Sequence, residues 1–142
     1  MRARALKALA RREHSRRELR DKLLPHAQGE DEVEGLLDDF EKRGWLSEAR
    51  FAEQVATVRR RKYGAGRILG ELREKGVSEA ALEQARVRLR RDELAAARTV
   101  WQKKFGAMPG TLAEKAKQAR FLAGRGFSAE VVHAVLKGRG DE

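Results

Sequence analysis

The sequence predicts an all-α protein of three tandem three-helix units, about nine helices in all. Three observations predict it. No segment alternates apolar and polar residues over six positions with β-branched enrichment, which argues against strands. Serines 15, 47, 78 and 128 each head a stretch whose apolar residues recur every three or four positions, as helix N-caps do. The stretch Glu71-Leu72-Arg73-Glu74-Lys75-Gly76-Val77-Ser78 has weaker versions on both sides, at Glu18 to Leu23 and at Phe121 to Ser128, and a repeat of about fifty residues fits the periods of helical solenoids. The units are expected over 1–45, 46–91 and 92–142. A unit this small buries too little area to stand alone, so the three are expected to stack into an elongated, curved rod.

In the first unit, Ala3, Leu6, Leu9 and Ala10 give the stretch Arg2 to Arg12 a narrow apolar face. Ser15 with Glu18 three residues on reads as a capping box for the second helix, which buries Leu19 and Leu23 and stops at Pro25. The acids Glu30-Asp31-Glu32 favour the positive end of the third helix, striped by Val33, Leu36, Leu37 and Phe40. Gly44 is placed to take a left-handed C′ conformation. Ser47 opens the fourth helix, with Phe51, Val55 and Val58 inward and Arg59-Arg60-Arg61-Lys62 at its end. Tyr63-Gly64-Ala65-Gly66 breaks it, since each glycine costs continued helix about 1 kcal/mol. A helix pair follows, with Ile68, Leu69 and Leu72 facing Leu82, Ala85 and Leu89. Asp92 is the expected N-cap of a seventh helix carrying Leu94, Ala97, Trp101 and Phe105. After the loop Gly106 to Gly110, Thr111 and Glu114 repeat the capping box above Ala116, Ala119 and Leu122, and Gly126 ends that helix. Ser128 starts the ninth, faced by Val132, Val135 and Leu136.

The 142 residues include 32 Lys and Arg against 22 Asp and Glu, a net charge of +10. That excess points to a polyanion or an acidic protein surface as partner. With no cysteine there is neither a disulfide nor a thiolate metal site, which suits a reducing compartment. No apolar run approaches the roughly 20 residues that span a bilayer, and no signal-peptide core follows Met1-Arg2. A cytoplasmic, monomeric protein without a cofactor is expected.

No active site assembles from the residues. His14, His26 and His133 fall in different units or at spacings that cannot pair on a helix, and each is expected at the surface or in a loop. Asp38 and Asp39 lie on a solvent face with no apolar pocket to shift them. Gly64-Ala65-Gly66 lacks the strand and Gly-Lys-Thr of a P-loop. The basic clusters carry more information: Arg59-Arg60-Arg61-Lys62 with Tyr63 and Arg67, then Arg86, Arg88, Arg90 and Arg91, then Arg11, Arg12, Arg16 and Arg17. Such clusters neutralise phosphates and release counterions. Consecutive residues radiate around a helix, so one partner cannot meet them all. Residues that read base edges in a groove are missing, which disfavours sequence-specific DNA recognition.

Several motifs follow one another in a telling order. They are Arg12 to Leu19 (REHSRREL), Gly44 to Ala52 (GWLSEARFA), Lys62-Tyr63-Gly64 through Ile68 to Glu71-Leu72, and Lys75-Gly76-Val77. Arg120-Phe121-Leu122, Arg125-Gly126-Phe127-Ser128 and Val132 extend the series. Together they resemble the RecX regulatory proteins of bacteria over nearly the whole chain. Ser47-Glu48 departs from that family's usual acidic pair, and Arg86 stands where its repeat prefers Leu. The resemblance implies a modulator, usually inhibitory, of the RecA recombinase, acting in DNA repair and the SOS response. It implies stacked three-helix repeats lying in the groove of the RecA–single-stranded-DNA filament, where strand exchange, ATP hydrolysis and co-protease activity fall. The residues expected at that contact are Arg59, Arg60, Arg61, Lys62, Tyr63 and Arg67, with Arg16 and Arg17 next. The competing readings are a general nucleic-acid binder and a small hydrolase; the first lacks stacking platforms and the second a metal-binding cluster.

Overall fold

The computed structural model describes residues 1–137, so the end of the third expected unit, 138–142, lies outside the described residues. Among these residues the chain forms α1 (Arg2–Arg11), α2 (Arg16–Leu23), α3 (Glu30–Lys42), α4 (Glu48–Arg59), α5 (Ala65–Glu74), α6 (Glu79–Arg91), α7 (Glu93–Lys104), α8 (Leu112–Gly124) and α9 (Ala129–Lys137), with a single 3-10 turn at Leu24–His26. No strand occurs among them. The caps explain the boundaries. Ser15, Ser47, Ser78, Thr111 and Ser128 each accept a hydrogen bond from the amide three residues on, and Glu18 returns to the Ser15 amide at 3.1 Å. Glu114 reaches back instead to Gly110 N at 2.8 Å. Gly44, Gly76 and Gly126 end α3, α5 and α8 with φ of 76°, 80° and 95°, a region that favours glycine.

Three separate cores follow. Ala5, Leu19, Leu23, Val33, Leu37, Phe40 and Leu46 fill the first. The middle core is the largest, joining Phe51, Ile68, Leu69 and Leu72 to Leu82, Ala85 and Leu89. Ala97, Val100, Leu122, Phe127, Val132, Val135 and Leu136 fill the third. The accessible surface is 8986 Å², whereas a compact protein of 16.0 kDa exposes about 7,400 Å². The excess fits a row of small cores rather than one sphere.

Several expected faces are corrected. On α1 the structure buries Ala5, with Met1, Ala8 and Leu9 partly covered, and leaves Ala3, Leu6 and Ala10 outside. Both sets have helical spacing; the observed one lets Arg2 reach Asp39 at 3.0 Å. Val58 is 58% exposed because the last turn of α4 leads out of the core, and the Tyr63 ring packs there instead. On α8, Ala116 is exposed while Gln118 is buried, accepting from Trp101 Nε1 at 2.8 Å and donating to Ala107 O at 3.2 Å. Asp92 occupies the N-cap position of α7 without a capping hydrogen bond; its carboxylate takes Arg60 at 2.9 Å.

Successive units meet through two joints of one design. In each, the turn after the second helix of one unit docks on the first turn of the second helix of the unit before. At the first joint, Ser15 Oγ donates to Lys75 O at 2.8 Å and Arg17 donates to Glu74 O. At the second, Gly64 N donates to Arg125 O at 2.8 Å, Gly66 N to Gly126 O at 3.1 Å and Arg67 Nη1 to Gly124 O at 3.1 Å. A carboxylate at the head of the next unit completes each joint. Glu48 accepts from Arg16 N at 3.4 Å and Ser78 N at 2.9 Å. Glu93 accepts from Ala65 N and Ser128 Oγ, both at 3.1 Å. These acids supply acceptors for helix-start amides that no intrahelical partner serves.

Candidate functional site

The joints divide the basic residues into those already engaged and those free for a partner. The Arg59–Lys62 run fans out as consecutive helix-end residues must. Arg59 forks onto Glu71 at 2.9 and 3.3 Å, which ties α4 to α5. Arg60 turns the other way to Asp92 at the head of α7. Arg61 and Lys62 are exposed and have no acidic partner among the described residues. Tyr63 is half-buried, and the guanidiniums of Arg67 and Arg125 lie over its ring at 4.6 and 5.3 Å.

Arg16 and Arg17 prove distant in role as well as in sequence. Arg16 is mostly buried among Glu34 at 2.5 Å, Asp38 at 2.7 Å and Glu41, so its charge is spent within the first unit. Arg17 spans the first joint to Glu74 O, as Arg67 spans the second to Gly124 O. Arg20 and Arg16 hydrogen bonds hold Glu34 down at about 2, against 4.5 for a free carboxylate. A carboxylate depressed in the fold adds stability that is complete above pH about 4.5 and is lost as pH falls toward about 2. Glu34→Gln is expected to lower the urea midpoint at neutral pH and to match the parent as that acid range is crossed, which a urea series against pH checks.

Sequence reasoning missed half of what surrounds Tyr63. Arg125 lies over the Phe121 ring as well, at 4.9 Å, and Lys104 Nζ lies over the same ring at 5.2 Å. Phe105 meets Phe121 edge-on at 5.4 Å. The result is an alternating row, Arg67, Tyr63, Arg125, Phe121 and Lys104, that starts on α5 and the link before it and finishes on α7 and the end of α8. None of its three cations pairs with a carboxylate among the described residues. The spacing of Arg120-Phe121-Leu122 and Arg125-Gly126 carried this signal, but only the second joint brings those residues to Tyr63.

The other clusters are partly committed. Arg86, Arg88 and Arg90 pair with Glu83, Glu53 and Glu93 at 3.6, 3.1 and 3.7 Å. His14 sits in a loop as expected but is buried, with Nδ1 3.0 Å from Arg12 O. Burial lowers its pKa from the usual imidazole value. Among the described residues no three His, Asp or Glu side chains lie close enough to hold a metal ion. No helix among them is long and apolar enough to cross a membrane.

Family models for the first, second and third three-helix domains of RecX match residues 2–40, 47–85 and 91–136. The chain belongs to the RecX family. It is 48% identical over 138 residues to the regulatory protein RecX of Ralstonia nicotianae, covering 97% of this chain and 87% of that one. It is 44% identical over 142 residues to the regulatory protein RecX of Chromobacterium violaceum, covering 100% and 92%. The crystal structure of RecX from Lactobacillus salivarius superposes with a TM-score of 0.83 at 18% identity, over 96% of this chain and 92% of the other. At that identity the RecX crystal structure speaks to the fold: three-helix domains in tandem and no strands.

Proposed function

We propose that this RecX-family chain is a non-enzymatic regulator that binds the RecA–single-stranded-DNA filament and lowers its recombinase, ATPase and co-protease activities. One observation carries the reading. Five cations without acidic partners among the described residues, Arg61, Lys62, Arg67, Arg125 and Lys104, follow the chain's second joint in a body built from repeated units. A row of that kind suits a polymer of acidic protomers and phosphates, where many modest contacts add along a groove. Within the reading, Arg61, Lys62, Tyr63 and Arg67 make contact, whereas Arg59, Arg60, Arg16 and Arg17 hold the frame that presents them. A monomeric, curved rod divided at 1–45, 46–91 and 92–142, working in the cytoplasm without a cofactor, completes it.

The test is RecA ATPase on single-stranded DNA with this protein titrated in at two salt concentrations. Inhibition is expected, weaker at the higher salt. The double variant Arg61→Ala, Lys62→Ala touches no ion pair and is expected to raise the half-inhibiting concentration about tenfold with helicity unchanged. Inhibition equal to the parent's would remove these two residues from the contact. A protein that binds bare DNA as tightly as the filament and leaves the ATPase alone is a general nucleic-acid binder instead.

A further inference from the structure

We infer that Arg67, Tyr63, Arg125, Phe121 and Lys104 form one composite site for the phosphodiester backbone of a single nucleic-acid strand, a site that exists only while the second joint is closed. This deepens the filament reading, which supplies the source of the strand.

Each cation in the row is ordered before any ligand arrives. The Arg125 guanidinium is held between Tyr63 at 5.3 Å and Phe121 at 4.9 Å, Arg67 is fixed by Gly124 O at 3.1 Å and the Tyr63 ring, and Lys104 lies over Phe121. A guanidinium stacked on a ring keeps its N–H fork in plane and directed outward, which is the geometry that grips a phosphate. Binding then costs little rotamer entropy, because the rings have already restricted those side chains. With no carboxylate in the row, an arriving anion displaces nothing.

One feature selects a strand whose bases are unpaired; the rings in the row already hold cations and serve to order them. Beside the row's Arg67 end an open groove of about 600 Å³ lies between α4 and α5, lined by Tyr63, Arg67, Ile68, Gly70, Glu74 and the Arg59–Glu71 pair. Gly70 leaves that floor clear, since even a Cβ there would meet nothing within 4 Å. A base turned out of its stack has room in such a groove; a base pair locked in a duplex cannot enter it.

The dependence on the joint follows from where the members come from. Tyr63 and Arg67 belong to the middle unit, and Arg125, Phe121 and Lys104 to the third. Gly64 N to Arg125 O and Gly66 N to Gly126 O bring the two halves into contact. Open the joint, and the same charges remain on the molecule but the row is cut at its centre.

The experiment is binding of the full chain to a fluorescein-labelled oligothymidylate, followed by anisotropy through a salt series with no other protein present. Arg125→Ala and Phe121→Leu are each expected to weaken binding about tenfold. Arg125→Ala should also reduce the slope of log K against log salt by about 0.7, the share of one phosphate on a single strand. Arg125→Lys should restore the slope without the affinity. Gly64→Ala leaves every cation and ring in the chain, yet it is expected to weaken binding as much as Arg125→Ala does, whereas an effect of bulk charge would leave it untouched. Unchanged binding by Arg125→Ala and Gly64→Ala overturns the site. Equal affinity for a duplex of the same length, or tighter binding to polyglutamate, overturns it too. Because the assay contains no filament, ring-dependent strand binding by a protein that leaves RecA alone would sink only the regulator reading. Filament control lost in Arg125→Ala with strand binding intact would sink only this one.

Discussion

Gly64→Ala is expected to part the third unit from the second at a cost of about 3 kcal/mol, with the helices of each unit intact. A Cβ at that position would lie 2.6 Å from the carbonyl carbon and oxygen of Gly126 and from the amide nitrogen of Phe127. All three are backbone atoms, so no side-chain rotation relieves the clash, and the turn must back away. Retreat breaks Gly64 N to Arg125 O at 2.8 Å and Gly66 N to Gly126 O at 3.1 Å. It also pulls Glu93 off Ala65 N. Denaturation followed by far-ultraviolet dichroism should change from one transition to two, since the units no longer unfold together. Small-angle scattering should report a longer particle, and the amides of Ala65 and Gly66 should exchange faster. A parent-like midpoint with an unaltered scattering curve would show that the joint gives way without cost.

Glu93→Ala should cost a similar amount, about 3 kcal/mol, for a different reason. The carboxylate is 3% exposed and accepts from Ala65 N and Ser128 Oγ, with Arg90 at 3.7 Å. Truncation leaves an amide at the start of α5 and a half-buried hydroxyl without acceptors, and each such orphan costs about 1–3 kcal/mol. Glu93→Gln keeps one acceptor oxygen and should lose about half as much. Glu48 does the same work at the first joint but is more exposed, so Glu48→Ala should cost about 1 kcal/mol. Chemical denaturation of the three variants ranks them. Should Glu93→Ala match Glu48→Ala, burial would not be what gives the second joint its strength.

The helices were legible because their signals are local. Ser15 with Glu18, Ser78 ahead of Leu82, and Gly126 ahead of Phe127 each act within one turn of chain, and all three behave as their spacing requires. Where two stripes of equal period compete, as on α1, only the neighbouring helix decides, and Ala5 won over Leu6. The joints were not legible. Ser15 meets Lys75 and Gly64 meets Arg125 across about sixty residues, through carbonyls that every residue possesses. Glu93 looked like any acid in a first turn. Its one clue was the parallel with Glu48, both directly following an N-cap and both opening a unit. The basic clusters were visible as charge alone. Which arginines are spent on partners, Arg16 and Arg59 among them, depends on acids brought in by folding.

The two joints share a direction. A second helix's first turn acts as socket, and the glycine turn of the following unit is the plug. The first unit carries the 3-10 segment Leu24–His26 where the other two carry Gly76 and Gly126, so it has lost its plug. On α8 the matching first turn leaves Leu112 86% exposed. Head-to-tail contacts between identical parts run on into fibres unless one partner is blunted. In this chain the first unit lacks the glycine turn through which such contacts would run.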